Sequence, residues 1–423
     1  MKRFSIIFAI VVIGITLGWM KDNQTEAGSL QMKGVWVSCF EFYECGLQNQ
    51  TESNFRANAN RLFANIKANG CNAVFFHVRS HDDAIYSSSV VGWSKYISTS
   101  GKPLSYNPLK ILVETAHKRG LKFHAWLNPY RVTSKKVLDP GKESTIKRIV
   151  RQVKEIINLY DVDGIHLDDY FYPTNISKYK KVSVAKKKKN VNAMIQRVYQ
   201  TVKAKSKKLK FGVSPAGNMD LCESIGADVK TWMSEKGYVD YIVPQLYWSD
   251  QYILAGKTKK IFSDYLKKWR LYNKLDLPMY IGLALYKTGN TLKEDPGWKK
   301  SSTNIVRQLR KIKSGNTEGY VLFSYVDLYH SHARNEVNKY LLELSKLKLN
   351  KSKMKLKKKK KYRLIAKRTG PSRYQAKMKW STSNKKIATV SQDGVVTAKA
   401  KGKVRISVYY GSLKKNCIIT VTK

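Results

Sequence analysis

Acid is what this chain has least of. Only 30 aspartates and glutamates stand against 79 lysines and arginines, a formal net charge of +49. A field of that sign draws polyanions: nucleic acid, anionic lipid head groups or anionic wall polymers. Cysteine is scarce too. The five, Cys39, Cys45, Cys71, Cys222 and Cys417, contain no C-x-x-C pair, which argues against a disulfide scaffold and against a structural zinc. No glycine-rich phosphate loop follows the first strand-like run, so the signature of a nucleotide-binding open sheet is missing. Long apolar runs are missing except at the start. "MKRFSIIFAIVVIGITLGWM" has two basic residues and then an apolar stretch from Phe4 to Met20. It reads as a secretory signal over residues 1–27, with cleavage expected after Ala27. An uncleaved anchor is the alternative for a run of this length. Either way the rest of the chain is expected to work outside the cytoplasm, and nucleic acid is not an expected partner despite the charge.

What is present is a regular alternation. Strand-like apolar runs fall at 34–41, 72–79, 121–128, 163–170, 209–215, 241–248, 279–286 and 319–325. Helical patterns lie between them, as at Phe55 to Ala68, Pro108 to Lys118, Thr145 to Leu159, Val191 to Lys203 and Ile305 to Ile312. Eight strands alternating with helices predict parallel β/α units. Over residues 32–345 this fits an α/β chain closed as a (β/α)8 TIM barrel, with a doubly wound open sheet as the alternative. From Lys346 to Leu364 the sequence is about half lysine, which alone reads as a solvated linker. Beyond it, short alternating runs separated by "SNKK", "QDG", "KG" and "YGS" predict a small all-β sandwich over 349–423.

In such a barrel, catalytic side chains stand at the C-terminal ends of the strands, and alternation says which residues face the axis. On the fourth strand these are His166, Asp168 and Tyr170. On the second they are His77 and Arg79, on the third His124, Trp126 and Asn128, on the sixth Gln245 and Tyr247. An interior built for stability alone is filled with branched apolar residues; this one sends imidazoles, a guanidinium, amides and a carboxylate to one end. Trp126, Tyr130, Tyr172, Tyr247 and Trp248 accompany them. Polar groups among aromatic walls suit a sugar, whose ring faces stack while its hydroxyls need hydrogen bonds. Taken singly, an inward histidine is more often a bonded core residue than a catalyst. Asp169, on the helix-facing parity, is as well explained by an ion pair or a helix cap. The histidines and carboxylates of "HVRSHDD" and "HLDD" match no standard metal cage, so neither metal nor cofactor is expected.

"GVWVS", "FFHVRSHDDAIYSS", "YNPLKILVETAHKRGLKFHAWLNPYRV", "VDGIHLDDYFYP", "FGVSPAG" and "YVDYIVPQLYW" occur in that order. Together they resemble the bacterial glycosyl-hydrolase-like 10 family across residues 32 to 345. The resemblance implies hydrolysis of peptidoglycan glycan strands, above all strands stripped of peptides. Ser80, His81 and Asp82 depart from the family pattern, which has proline after "VR" and then small or amide residues. A weaker likeness is to family 18 chitinases, whose D-G-x-D-x-D-x-E falls on Asp163, His166, Asp168 and Tyr170. Tyrosine stands where that family has its acid, and a phenol with a pKa near 10 is a poor donor at neutral pH. After Leu349, "WSTSN" with "IATVSQDGVVTAKAKGKVRISV" resembles the group 2 bacterial immunoglobulin-like domain, which implies a spacer or adhesive module.

The expected protein is therefore an exported glycoside hydrolase acting on bacterial cell-wall glycan. Glycoside cleavage needs a proton for the leaving oxygen and a nucleophile or base opposite it. Asp168 is the leading acid/base candidate, with Asp169 beside it to raise its pKa by like-charge repulsion. Glu41, Asp83 and Asp327 are the choices for a second carboxylate; for an N-acetylated sugar the substrate's acetamido oxygen replaces it. His77, Arg79, Asp83, His124, Asn128, Tyr170, Gln245 and Tyr247 are expected to bind hydroxyls or N-acetyl groups, with Trp126 and Trp248 stacking. The lysine-rich surface is expected to meet anionic wall polymers or a membrane surface. A non-catalytic wall-binding protein is the alternative.

Overall fold

The computed structural model describes residues 30–423 except 134, 169, 170, 175, 301, 302, 315, 316 and 372–375. The expected signal segment lies outside the described residues. Eight parallel strands form the first domain: β1 (Met32–Val37), β2 (Ala73–Arg79), β3 (Lys122–Leu127), β4 (Gly164–Asp168), β5 (Lys210–Ser214), β6 (Tyr241–Ile242), β7 (Tyr280–Ala284) and β8 (Gly319–Phe323). Their order is β7-β8-β1-β2-β3-β4-β5-β6, and parallel bridges Ile242↔Met279 and Gln245↔Gly282 close the ring. The chain thus forms the barrel and not the open sheet.

Helices α1 (Glu52–Ala68), α2 (Pro108–Lys118), α3 (Glu143–Leu159), α4 (Val184–Lys205), α5 (Ile261–Tyr272), α6 (Asn304–Lys313) and α7 (Ser331–Glu343) surround it. Several begin where the sequence offers a cap. Thr51 accepts from Asn54 N, Asn107 from Lys110 N with Pro108 at the first helical turn, and Ser183 from Lys186 N. Each satisfies one of the unpaired amides at a helix start. Every barrel strand except β6 keeps the length its apolar run predicts to within a few residues. β6 is cut to two residues because Pro244 brings no N–H to the ladder.

Side chains of the barrel divide into two layers. Val35, Val74, Phe76, Phe123, Ile165, Leu167, Phe211, Val213, Ile281 and Leu283 face the helices in one large core. Trp36, Phe75, Trp126, Tyr241, Val243 and Val321 fill the axis, joined there by His124 and His166, which are 3% and 0% exposed. The axis is therefore mainly aromatic and polar, with few aliphatic side chains.

The lysine-rich stretch is not a linker. β9 (Lys346–Leu349) starts three residues after the end of α7, β10 (Lys353–Lys357) and β11 (Lys361–Arg363) follow within it, and β12 (Ala366–Thr369) comes just beyond it. β13 (Lys379–Thr382), β14 (Ala388–Val390), β15 (Val395–Ala398), β16 (Gly402–Tyr410) and β17 (Leu413–Thr422) complete an all-β domain. Its sheets run β10-β17-β16-β13 and β11-β15-β14, with β9 paired to β12. Alternation explains how lysine enters strands: in β10, Met354 and Leu356 pack on the core while Lys353, Lys355 and Lys357 are exposed.

Candidate active site

A cavity of about 250 Å³ opens at the C-terminal ends of the barrel strands. Trp36, His77, Trp126, Asp168, Gln245, Tyr247 and Phe323 line it from the strands and their continuations, and Ser38, Phe40, His81, Asn128, Arg131 and Tyr286 from the loops. Asp168 is the one carboxylate among the described lining residues.

Asp168 is 7% exposed. Its Oδ1 accepts from Gln245 Nε2 at 2.8 Å and from Ser214 Oγ at 3.3 Å. Behind it a polar chain runs down the axis. Ser214 Oγ lies 3.0 Å from His166 Nε2, His166 Nδ1 lies 3.2 Å from Tyr241 OH, and Tyr241 OH lies 3.0 Å from His124 Nδ1. Burial drives both imidazoles toward the neutral form: His124 is pushed down to about 4, and His166 lies well below its usual value, with the neighbouring His124 adding to the effect. Neutral imidazoles and hydroxyls each donate once and accept once. The chain is therefore self-consistent with every donor directed toward an ionised Asp168, and equally with every donor reversed when Asp168 carries the proton. Two glycines make room for it. A Cβ on Gly164 would stand 2.6 Å from His124 Nδ1, and one on Gly212 would stand 2.2 Å from the Tyr241 ring.

Around Asp168 the walls are flat. His77 and Trp126 stack with centroids 3.7 Å apart and planes 5° from parallel. Trp126 Nε1 donates to Asn128 Oδ1 at 3.1 Å, and Asn128 Nδ2 to Ser80 O at 2.8 Å, which fixes both side chains. His77 Nδ1 accepts from Cys39 N at 3.4 Å, while its buried Nε2 makes no well-formed hydrogen bond. Tyr247, Tyr286 and Phe323 pack edge-on or tilted against one another on the facing wall.

The structure thus gathers Asp168, His77, Trp126, Asn128, Gln245 and Tyr247 at one cavity. It puts others elsewhere. Asp169 and Tyr170 lie outside the described residues. His124 is on the axis but below the cavity, bonded to Tyr241. Arg79 is absent from the wall: the β2–β3 register shifts between His77 and Arg79, which pairs Arg79 with Leu127 of the helix-facing layer. It is 1% exposed and reaches Asp82 at 3.4 Å. Asp83 accepts from Ser80 Oγ and His81 N and so shapes the loop that carries His81. Trp248 packs on Tyr265, and Tyr172 takes a hydrogen bond from Asn190; neither lines the cavity, and nor does Tyr130.

Glu41 is a clamp. It sits in a 3-10 turn and accepts from Ser38 N at 2.6 Å, Ser324 Oγ at 2.5 Å and Val326 N at 2.9 Å, tying the loop after β1 to the loop after β8. Burial pushes its carboxyl up to about 7. Asp327 serves the same joint through Ser324 N at 2.9 Å, and burial raises its pKa. Glu336 of α7, also pushed up to about 7 by burial, accepts from Ile305 N at 2.5 Å at the start of α6. Among the described residues, no group of three His, Cys, Asp or Glu side chains is placed to hold a metal ion.

These buried groups set a pH optimum for stability. Glu41 and Glu336 hold a proton more tightly folded than unfolded, so their contribution is full below about 4.5 and is lost as pH rises through about 7. His77, His124 and His166 hold one less tightly folded, so theirs is full above the unfolded value of about 6.5 and is lost as pH falls toward about 4. The melting temperature is expected to peak at roughly pH 6–7 and to fall on both sides. A calorimetric series from pH 5 to 8 that rises or falls monotonically would contradict these assignments.

Some residues of the cavity and of the axial chain behind it were not named from the sequence. Ser214 and Tyr241 follow from parity on "FGVSP" and "YIVPQ", as do Trp36 and Phe323 on their own strands. Phe40, His81 and Arg131 are loop residues, and no periodicity marks them.

Comparison with known proteins agrees with this architecture. A model of the family described as "Glycosyl hydrolase-like 10" matches residues 31–137 and 130–300. One described as "Bacterial Ig-like domain (group 2)" matches residues 346–421. "Glycosyl hydrolase YngK" of Bacillus subtilis (strain 168) is 28% identical over 392 residues, covering 77% of this chain and 74% of its own. "Glycosyl hydrolase DigH" of Escherichia coli (strain K12) is 28% identical over 347 residues, covering 65% and 77%. Among solved structures, the PgaB (BpsB) glycoside hydrolase domain from Bordetella bronchiseptica superposes with a TM-score of 0.53 at 10% identity, over 73% of this chain and 98% of that one; at that identity the likeness is one of fold. The first family model spans well over half of the sequence, and the chain belongs to the glycosyl hydrolase-like 10 family.

Proposed function

We propose that this protein is exported and hydrolyses glycosidic bonds of bacterial cell-wall glycan, with peptidoglycan strands of N-acetylated amino sugars as substrate and Asp168 as the acid/base. The observation that carries the reading is the position of Asp168: a buried carboxylate at the C-terminal end of β4, inside a cavity whose walls are aromatic rings. A sugar ring laid on the Trp126 and Tyr247 faces brings a glycosidic oxygen toward that carboxylate. Asn128, Gln245 and His77 Nε2 offer hydrogen bonds to hydroxyl or N-acetyl groups.

Bond cleavage needs Asp168 to give up a proton and to take one back. The chain through Ser214, His166 and Tyr241 supports either state, because each member can reverse its donor. No second carboxylate lines the cavity among the described residues. For an N-acetylated sugar we assign the nucleophile to the substrate's own acetamido oxygen, which attacks the anomeric carbon as the leaving oxygen takes the proton of Asp168. Water then opens the cyclic intermediate and the hydroxyl replaces the acetamido oxygen. Of the second carboxylates the sequence offers, Glu41, Asp83 and Asp327 do not line the cavity, and Asp169, expected only to raise the pKa of Asp168, lies outside the described residues.

The test is direct. Purified protein incubated with peptide-free glycan strands is expected to release new reducing ends and shorter saccharides. Glycan retained without any new reducing end would favour a binding protein that uses the same aromatic walls.

A further inference from the structure

Between Lys346 and Lys423 the sequence has 25 lysines and arginines and a single acid, Asp393. That acid is taken by Arg363 at 2.8 Å. No carboxylate side chain of the second domain is left for its other cations.

Four of those cations are arranged. They line a trough of about 670 Å³ on the outer face of the β10-β17-β16-β13 sheet. Register puts Lys355, Thr420 and Lys403 on one rung, and Lys353, Ile418 and Arg405 on the next. With strands about 4.8 Å apart, the two flanking rows lie roughly 10 Å apart, and successive rungs are about 7 Å apart. Ile418 and Thr420 form the floor. Ser383 closes one side, its Oγ accepting from Arg405 N at 2.9 Å.

From this we infer that the trough is a docking site for a linear phosphodiester polymer, laid along β17 between the two cationic rows. Four like charges set on a rigid sheet repel one another unless an anion lies between them. Lysines supply point charges, and arginine pairs with a phosphate through two parallel bonds. The repeat of the rungs suits a chain with one negative charge per unit. A membrane surface fits less well: among the described residues of this domain, Ile365 is the only large apolar side chain that is exposed, so nothing stands ready to enter a bilayer. The inference rests on the reading of a wall-associated protein only for the source of the polymer. Its test measures binding without catalysis, so either can fail alone.

The experiment uses the full chain and fluorescent poly(glycerol phosphate). One variant carries K353Q, K355Q, K403Q and R405Q. A control with the same charge change carries K385Q, K386Q, K399Q and K401Q. Melting curves verify that both fold. The trough variant is expected to bind at least about tenfold more weakly, and the control to stay within about threefold of wild type. With four phosphate contacts, the slope of log K against log salt is expected near −3 for wild type and near zero for the trough variant. Equal losses in both variants would mean diffuse charge attraction and overturn the site. So would phosphatidylglycerol vesicles that bind wild type as tightly as the polymer, or inorganic phosphate that displaces the polymer at equal phosphate concentration.

Discussion

Asp168→Asn is expected to remove hydrolysis of glycan strands while the barrel melts within a few degrees of wild type. Asparagine keeps the size of the side chain, and its carbonyl still accepts from Gln245 Nε2, which lies 2.8 Å from Oδ1. What it cannot do is carry a proton to the leaving oxygen. General acid–base catalysis contributes about 10²–10⁴-fold, a loss far outside assay scatter. Substrate binding is expected to change little, because the aromatic walls and the amides of Asn128 and Gln245 remain. Rates within threefold of wild type in a folded Asp168→Asn protein would move the chemistry to another group, with Asp169 next in line. Glu41 and Asp327 are poor replacements, since their oxygens are committed to Ser38, Ser324 and Val326.

The barrel was legible because its strands are buried on both faces. They read as near-continuous apolar runs, and a parallel sheet needs that. Parity then located the site wherever a strand is regular. On β3 and β4 it placed Trp126, His166 and Asp168 on the axis. It failed where the ladder is irregular. The bulge on β2 turns Arg79 away from the cavity, whereas beyond Pro244, which ends β6 early, parity still puts Gln245 and Tyr247 there. The role of Glu41 was not legible at all. Its partner Ser324 is 283 residues away in sequence, and no local pattern encodes that pairing. The loop residues Phe40, His81 and Arg131 are hidden for the same reason: a loop reaches a cavity by its path through space, not by its period. The lysine-rich stretch shows a further limit. Composition alone suggests a solvated tail, yet every second residue of β10 is apolar, and that is enough to seat the strand.

Gly212→Ala is expected to be among the more damaging single methyls in the barrel. Its Cβ would stand 2.2, 2.3 and 2.5 Å from three carbons of the Tyr241 ring. That ring has nowhere to retreat. His166 lies parallel to it with centroids 6.0 Å apart, His124 meets it edge-on at 5.4 Å, and Phe75 closes another side at 6.3 Å. Overpacking costs about 1–3 kcal/mol. A displaced hydroxyl also strands two buried imidazole nitrogens, each at about 1–3 kcal/mol. A total near 5 kcal/mol corresponds to a melting temperature lower by about 10 °C for a domain of this size. Turnover is expected to fall about tenfold, the value of one hydrogen bond's worth of free energy, while KM stays within about twofold because no cavity wall moves. Tyr241→Phe separates the two effects. It keeps the ring and its packing and removes only the hydroxyl, so it is expected to lose less thermal stability yet a similar share of turnover. A Gly212→Ala protein that melts within 2 °C of wild type would show that Tyr241 is not held where the glycine leaves room for it. A Tyr241→Phe protein with unchanged turnover would reduce the axial chain to packing and leave Asp168 dependent on Gln245 and Ser214 alone.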